Sequence, residues 1–205
     1  MTRYGMVIDT KRCFGCQTCA IACKTANNLP IDIRWNHIIT SGGTKIDIGG
    51  GSYPNVDMVY YPVACQHCAK PACVDVCPTG ASTRNDDGVV VIDAEKCIGC
   101  KACMSACPYD ARVLLEDEPK YYLDYAVGDG FEPAHRGGVV EKCNFCHQRI
   151  SEGRKPACME LCPGRARLWG DLDDPDSEAS KALKDRKTMR YLENEGTEPS
   201  TYYLI

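Results

Sequence analysis

The cysteines constrain this sequence more than any other feature. Sixteen of the 205 residues are cysteine, and they fall into four runs of four that leave none over. In chain order, run one is Cys13, Cys16, Cys19 and Cys23; run two is Cys65, Cys68, Cys73 and Cys77; run three is Cys97, Cys100, Cys103 and Cys107; run four is Cys143, Cys146, Cys158 and Cys162. Because the thiols crowd into such short segments, the fold is expected to be arranged around whatever they bind.

Disulfides and zinc explain this pattern poorly. A cysteine content of about 8% approaches that of small secreted scaffolds, but residues 1–12 lack the apolar segment of a secretory signal. In a reducing cytosol, closely spaced cysteines indicate metal or redox chemistry. Zinc sites use two C-x2-C pairs separated by a loop, and a third cysteine two residues further on has no role in them.

The spacing instead predicts iron–sulfur clusters. "CIGCKACMSACP" (Cys97–Pro108) is the C-x2-C-x2-C-x3-C-P run of two-cluster ferredoxins, in which the fourth cysteine ligates the other cluster. Run one has the same spacing with Lys24 in place of the proline, whereas runs two and four each lengthen one gap and keep the proline. Four complete runs predict four 4Fe–4S clusters.

A second motif overlaps run four. Residues 143–147, C-N-F-C-H, fit the attachment signature of c-type haem, but haem attachment would leave Cys158 and Cys162 without a site. We therefore expect no haem, and no flavin. His67 and His147 lie in cysteine loops and are expected to be partly exposed.

The chain also repeats itself. Val7–Cys16 and Val91–Cys100 share V-I-D-x-x-[KR]-C-x-G-C, and Lys70–Ala81 aligns with Lys155–Ala166. The repeat indicates that runs one and two are duplicated as runs three and four. Nineteen residues separate runs two and three, against 41 and 35 between the other neighbouring runs. The short linker favours one ferredoxin-like unit from runs two and three, and a second from runs one and four.

These patterns predict a loop-rich α+β fold in which two ferredoxin-like 4Fe–4S units carry inserts. Residues 1–205 are expected to form a single polyferredoxin-type subunit. A subdomain of about 58–112 would be nested within a second one, formed by about 1–30 and 138–172, with a C-terminal extension over 173–205.

Secondary structure is expected to be sparse. Strands are predicted at Met6–Asp9 and Val89–Asp93, with a hairpin turn at residues 87–88 and a loop or hairpin within Ser41–Asn55. Short helices are expected after the third cysteine of each run. A further helix is predicted through about Lys187, with Asp174 as N-cap and a proline at its first position. Three Phe and two Trp predict little aromatic contribution to the core.

Several functional classes are excluded by pattern. The sequence has no basic stretch that would indicate nucleic-acid binding. It has no run of eighteen apolar residues, so no membrane span is predicted. No nucleophile–base constellation is visible. The formal charge of −4 does not include bound cofactors.

The four runs, the eleven-residue gap in run four and "CPGRARLWGDLDDPDS" (Cys162–Ser177) carry a resemblance to a known family. Nearly the whole chain resembles the iron–sulfur electron-transfer subunit of DMSO-reductase-family molybdoenzymes. The segment Gly5–Pro30 is similar to the respiratory reductase members, and Cys100 stands where nitrate reductase small subunits have Trp, which implies a full 4Fe–4S cubane.

The resemblance implies a set of ligands for each cluster. They are Cys13, Cys16, Cys19 and Cys162 for cluster one; Cys23, Cys143, Cys146 and Cys158 for cluster two; Cys65, Cys68, Cys73 and Cys107 for cluster three; and Cys77, Cys97, Cys100 and Cys103 for cluster four. It also implies that cluster one lies nearest a large molybdopterin (bis-MGD) catalytic subunit and cluster four nearest a quinol-oxidising membrane anchor. The chain would then relay single electrons and catalyse nothing alone.

Two alternatives remain open. The chain could be the small subunit of a soluble molybdopterin dehydroxylase or transhydroxylase, or a free polyferredoxin carrier, although the long inserts at Lys24–Ala64 and Pro108–Lys142 favour a fixed partner. With no signal peptide or span of its own, it is expected in the cytoplasm or at a membrane through its partners. Any export would take the folded chain across with a partner that bears a twin-arginine signal.

Overall fold

Short helices and strands separated by long loops make up the chain. The computed structural model describes residues 2–41, 49–129 and 135–205. In chain order the elements are β1 (Tyr4–Asp9), α1 (Thr18–Ala26), β2 (Asn36–Thr40), β3 (Gly50–Ser52), β4 (Asn55–Asp57), β5 (Tyr60–Ala64), α2 (Ala72–Asp75), β6 (Ser82–Arg84), β7 (Val90–Ile92), α3 (Ala102–Ser105), β8 (Val113–Leu114), β9 (Val140–Glu141), α4 (His147–Ser151), α5 (Ala157–Glu160), β10 (Arg167–Asp171), α6 (Glu178–Asp185), β11 (Thr188–Met189), a 3-10 turn (Glu193–Glu195) and β12 (Thr201–Leu204).

The largest sheet joins the two ends of the chain. Its strand order is β10-β1-β12-β11, with β1 antiparallel to β10 and parallel to β12. The alternation of strand side chains gives β1 two buried faces. Val7 packs with Ala179 of α6 on one face, while Met6 and Ile8 lie in the cluster that contains Cys19 on the other. This central strand therefore has to be apolar on both sides, as its sequence is.

Among the described residues, the remaining strands form four two-stranded pairs, namely β2–β5, β3–β4, β6–β7 and β8–β9. The β6–β7 hairpin turns through residues 85–89, as the Asp-Gly turn predicts, and β1 and β7 confirm the predicted strands to within two residues at each end. Within the predicted glycine-rich loop or hairpin, residues 50–57 form the β3–β4 hairpin. Residues 42–48 of that prediction lie outside the described residues.

The helices near the cysteines begin earlier than predicted. α1, α2, α3 and α5 each begin one residue before the third cysteine of their run, so that they contain it. The residue before each helix explains where it begins. The backbone of Gln17 and of Lys101 is left-handed and that of Pro71 is extended, so helical conformation can begin only at the next residue.

The predicted cap of α6 was wrong. Ser177 is the N-cap, and its Oγ accepts the N–H of Ser180 at 3.0 Å. Asp174 instead accepts the N–H of Asp176 at 2.9 Å, which closes a turn before the helix. Among residues 2–41, 49–129 and 135–205, no helix has the length and hydropathy needed to cross a membrane.

The expectation of a core with little aromatic content was also wrong. Tyr203 and Phe145 are buried in the main core, and Trp169 packs edge-on against Phe145 at a centroid distance of 4.8 Å. Tyr4 stacks on Trp169 at 4.9 Å. The expectation counted only Phe and Trp, whereas the eleven tyrosines supply much of the aromatic packing in the core.

Candidate metal centres

All sixteen cysteines lie within the described residues, and all are free thiols. The family resemblance implies four crossed sets, called groups one to four: Cys13, Cys16, Cys19 and Cys162; Cys23, Cys143, Cys146 and Cys158; Cys65, Cys68, Cys73 and Cys107; Cys77, Cys97, Cys100 and Cys103. Each group takes three cysteines from one run and one from another.

The members of group one line a common cavity. Cys13, Cys16 and Cys19 approach it from the loop after β1 and from α1, and Cys162 approaches from the loop after α5. The β1–β10 pairing brings these two distant segments together. Arg167 lines the same cavity.

A second cavity collects the members of group two. Cys143, Cys146 and Cys158 line it together with Cys23, the last cysteine of run one. Cys65 of group three also lines this cavity, so groups two and three are close neighbours. The remaining lining is largely apolar and includes Met6, Ile8 and Phe145.

The members of group three line a third cavity. Cys65, Cys68 and Cys73 of run two line it together with Cys107 of run three. Arg112 is also part of the lining.

Group four is linked by helix packing. α2, which precedes Cys77, packs against α3, which contains Cys103. Cys77 Sγ accepts the N–H of Ser82 at 3.4 Å, and Cys97 Sγ accepts the N–H of Val140 at the same distance.

The spacing of the side chains does not fit mononuclear sites. Within the described ranges, no three His, Cys, Asp or Glu side chains come close enough to bind a single metal ion. A tetrahedral zinc ion needs all four sulfurs at about 2.3 Å from one point. Thiols that surround a cavity fit a larger group with several metal corners, as in a 4Fe–4S cluster.

Burial shifts the acidity of the inner thiols. It raises the pKa of Cys68 and of Cys146 to about 11 in each case, and neighbouring cysteines add to the effect. The pKa of Cys23 is raised well above its usual value, by burial first and then by Cys143 and Cys158. These thiols hold their protons at neutral pH, so metal ligation must release protons.

At Cys77 the balance is reversed. Burial alone would raise its pKa, but hydrogen bonds from the Ser82 N–H and from Thr79 lower it. Cys162 likewise accepts the N–H of Ala166 at 3.4 Å. Donors of this kind stabilise a thiolate ligand.

Two buried arginines approach the sulfurs, and neither was predicted from the sequence. Arg112 donates to Cys73 Sγ at 2.8 Å, and Arg167 donates to Cys158 Sγ at 3.6 Å. A signal was present: C-P-x-x-A-R occurs at residues 107–112 and again at 162–167. The repeated arginine falls five residues after the last cysteine of its run.

Orphaned donors test whether a cluster fits these cavities. Trp35 lines the group-two cavity and Arg112 lines the group-three cavity. Trp35 Nε1 and Arg112 Nη1 are buried and find no hydrogen-bond acceptor in the described part of the chain. A buried donor normally has an acceptor. The sulfur atoms of a bound cluster are acceptors, so the donor set and the four-cysteine linings both fit 4Fe–4S clusters.

The prediction of a partly exposed His67 was wrong. His67 is fully buried, and its Nδ1 accepts the N–H of Val90 at 3.1 Å. Burial, with Lys142 and Arg112 nearby, lowers its pKa well below the usual range, so the ring is neutral. His147 is about half exposed, as expected. His135 contacts Glu141 at 2.7 Å and the carbonyl of Asn27 at 2.8 Å.

Comparisons with known proteins also indicate that the chain binds 4Fe–4S clusters. Residues 56–121 and 131–172 match the 4Fe–4S dicluster domain family, and residues 10–26 match a 4Fe–4S binding domain family. Over its full length the chain is 48% identical to a protein of Halobacterium salinarum that is named as an iron–sulfur subunit of dimethyl sulfoxide reductase, 79% of which is covered.

Other relatives serve different oxidoreductases. The arsenate respiratory reductase iron–sulfur subunit of Shewanella sp. strain ANA-3 is 36% identical, with 98% of this chain and 96% of that one covered. The iron–sulfur cluster-binding subunit of menaquinone reductase of Nitratidesulfovibrio vulgaris is 34% identical, with 98% and 88% covered. The chain therefore belongs to the 4Fe–4S dicluster family and, within it, to the electron-transferring iron–sulfur subunits of the DMSO-reductase group of molybdoenzymes.

Proposed function

We propose that this chain relays single electrons, through four bound 4Fe–4S clusters, between a molybdopterin (bis-MGD) catalytic subunit and a quinol-linked membrane partner. One observation carries the proposal: in three cavities, the last cysteine of one run lies with the first three of another. Cys162 joins run one, Cys107 joins run two, and Cys23 joins run four. This crossing is the ligand pattern of two-cluster ferredoxins.

Each of groups one to four is proposed to hold one cluster. When bound, the clusters supply one-electron redox chemistry. The chain itself supplies the thiolates, the N–H donors that Ser82, Val140 and Ala166 direct at sulfur, and the apolar lining that keeps water from the inner groups. We propose no catalytic residue in this chain.

Haem is not part of the proposal, and neither is flavin. The two cysteines of the C-x-x-C-H motif, Cys143 and Cys146, line the group-two cavity together with Cys23 and Cys158. This arrangement supports their use as cluster ligands.

The proposed ends of the relay are groups one and four. Cys16 and Cys100 are exposed, whereas the inner groups contain mostly buried cysteines. Exposed apolar residues lie beside both ends, namely Phe14 and Leu161 near group one, and Ile98 near group four. Exposed apolar side chains next to redox centres suit contact with partner subunits. By family resemblance, the molybdopterin subunit would cover group one and the membrane anchor group four.

The inserts are proposed to extend the partner interface. In the first insert Tyr53 and Val56 are exposed on the β3–β4 hairpin, and in the second Tyr122 and Tyr125 are exposed. Tyrosine is enriched at interfaces because its ring is apolar and its hydroxyl is polar.

The same interleaving bears on location. Because each proposed cluster needs ligands from distant parts of the chain, it can be completed only in a folded molecule. We therefore propose that the chain works in the cytoplasm or at a membrane bound to its partners. Any export would then be of the folded complex, directed by a partner's twin-arginine signal.

The stoichiometry of metal and sulfide tests the proposed cofactors. Anaerobically purified protein should contain about sixteen iron and sixteen labile sulfide per chain, as four 4Fe–4S clusters require, and give no pyridine haemochrome. Iron near eight, or a haemochrome band, would contradict the assignment.

Native purification from anaerobically grown cells tests the partners. The chain should co-purify with a large molybdopterin subunit and bury well over 1,000 Å² against it. A complex without a membrane anchor would favour the soluble dehydroxylase or transhydroxylase alternative. A lone monomer that reduces unrelated enzymes would favour the free carrier.

A further inference from the structure

Arg112 and Arg167 occupy equivalent positions in the two halves of the chain. Each follows the last cysteine of its run by five residues, in the sequence C-P-x-x-A-R. Both are buried, with 2% and 3% of their surface exposed. A full positive charge at such depth needs a compensating partner.

Arg167 lies between groups one and two. It lines both of their cavities, and its guanidinium donates to Cys158 Sγ at 3.6 Å and to Asn36 Oδ1 at 3.0 Å. It also contacts Met6 Sδ at 3.1 Å. Cys158 and Cys19, which belong to different groups, both act on its charge and raise the pKa of Arg167 despite the opposing effect of burial.

Arg112 lies between groups three and four. It donates to Cys73 Sγ of group three at 2.8 Å, and to Ser82 Oγ at 2.8 Å. The N–H of Ser82 in turn donates to Cys77 Sγ of group four at 3.4 Å. Arg112 Nη1 is buried and has no acceptor among the described residues.

Neither arginine pairs with a carboxylate within residues 2–41, 49–129 and 135–205, where their contacts are with sulfur, hydroxyl and amide groups. Arg149 shows the ordinary arrangement. It is also buried, but it forms ion pairs with Asp129 and Glu160. The charges of Arg112 and Arg167 are therefore free to act on the groups beside them.

We propose that each of these arginines is a shared positive charge that raises the reduction potentials of both clusters in its unit, Arg167 for clusters one and two and Arg112 for clusters three and four. This inference rests on the proposed cluster ligation. A fixed cation stabilises the reduced state, which carries one more negative charge than the oxidised state. In each transfer one cluster gives up one electron and its neighbour accepts that electron, while the guanidinium exchanges neither electron nor proton.

Redox titrations of the whole purified complex, followed by EPR, test the proposal. In Arg112→Gln, the equilibrium constants for reduction of clusters three and four should fall about tenfold, or about 59 mV for a one-electron couple. Clusters one and two should keep their wild-type potentials. Arg167→Gln should give the opposite pattern, so each variant is the matched control of the other.

Retention of charge separates electrostatics from packing. In Arg112→Lys, the equilibrium constants for reduction of clusters three and four should stay within about threefold of wild type. In Arg167→Lys, the same should hold for clusters one and two. Arg112→Met and Arg167→Met are second neutral variants, and they should reproduce the shift if the Gln variants fail to assemble.

Iron and sulfide counts on every sample come first, because a loss of clusters from the wild-type protein would contradict the proposed function rather than this inference. Fully loaded neutral variants with unchanged potentials would overturn the inference. Lys variants that shift as far as the neutral ones would also overturn it.

Discussion

The two outer C-x-x-C loops and the two inner ones share a backbone turn but not a side chain. The outer loops are residues 13–16 and 97–100, and the inner loops are residues 65–68 and 143–146. The third residue of every loop is left-handed, with φ of 72° at Gly15, 65° at Gly99, 44° at His67 and 57° at Phe145. Glycine adopts this conformation freely, whereas other residues pay about 1–2 kcal/mol.

In the outer loops glycine is required by space as well as by conformation. A Cβ at Gly15 would collide with the ring of Tyr60, and one at Gly99 would collide with the carbonyl oxygen of Gly138. The loop residues beside them, Phe14 and Ile98, are exposed. Each outer loop thus packs its glycine against neighbouring residues of the chain and leaves an apolar side chain exposed where a partner could contact it.

In the inner loops the same position carries a ring, and the two rings pack against each other. His67 and Phe145 are both buried and stack with ring centroids 3.6 Å apart. One ring belongs to a group-three loop and the other to a group-two loop. Burial of an aromatic ring, about 1.5–3 kcal/mol, offsets the conformational cost. The same backbone turn therefore lets neighbouring chain approach closely in the outer loops and lets two aromatic rings stack in the inner loops.

The largest effect is expected from removing cluster ligands, because the division into outer and inner loops depends on the crossed groups. Cys107→Ser and Cys65→Ser should both perturb the EPR signal of cluster three. Cys77→Ser and Cys100→Ser should both perturb that of cluster four. If Cys77→Ser instead perturbs the same signal as Cys65→Ser, each run holds its own cluster and the comparison fails.

A smaller but still large effect is expected from Phe145→Ala. Truncation of a buried Phe costs about 3–5 kcal/mol, which for a chain of this size lowers the melting temperature by roughly 10 °C. Anaerobic calorimetry of the cluster-loaded protein measures it. Phe14→Ala is the matched control from an outer loop. Phe14 is 58% exposed, so this variant should melt within about 2 °C of wild type. Equal losses in the two variants would mean that the inner stack has no special role.

The sequence predicted the chemistry of the site better than its surroundings. Cysteine spacing is local, so the four runs, the hairpin turn at Asp87 and strand β1 could be predicted from short segments. The ligand groups came from a family resemblance, and the three shared cavities support them as a proposal.

What the sequence could not predict depends on distant contacts. His67 is buried because Phe145, 78 residues away, covers its ring. The repeated C-P-x-x-A-R marks Arg167 in the sequence, but only the fold places it between two cysteine groups. The cap at Ser177 was missed for a different reason, since Asp174 has an equally good capping side chain and the local pattern does not choose between them.

Gly99→Ala tests the outer loops with an intermediate effect. The left-handed conformation and the collision with a backbone carbonyl together should cost about 2–4 kcal/mol, or roughly 5–10 °C in melting temperature. The control is Gly153→Ala, where φ is 75° but no atom lies within 4 Å of the added Cβ. That variant should show the conformational cost alone, about 1–2 kcal/mol. If the two variants melt together, close approach of the chain is not what requires glycine in the outer loop.

The smallest effect concerns the order in which iron is lost. Cys16 and Cys100 are exposed, whereas Cys65, Cys68 and Cys146 are buried, so chelator and oxidant should reach the outer groups first. At a temperature well below melting, the signals of clusters one and four should decay roughly fivefold faster than those of two and three, equivalent to about 1 kcal/mol in activation free energy. The Cys→Ser variants identify the signals, and Phe145→Ala should narrow the difference by loosening the inner stack. Decay of all four signals in a single phase would show that iron leaves by global unfolding, and the inner loops would then give their clusters no separate protection.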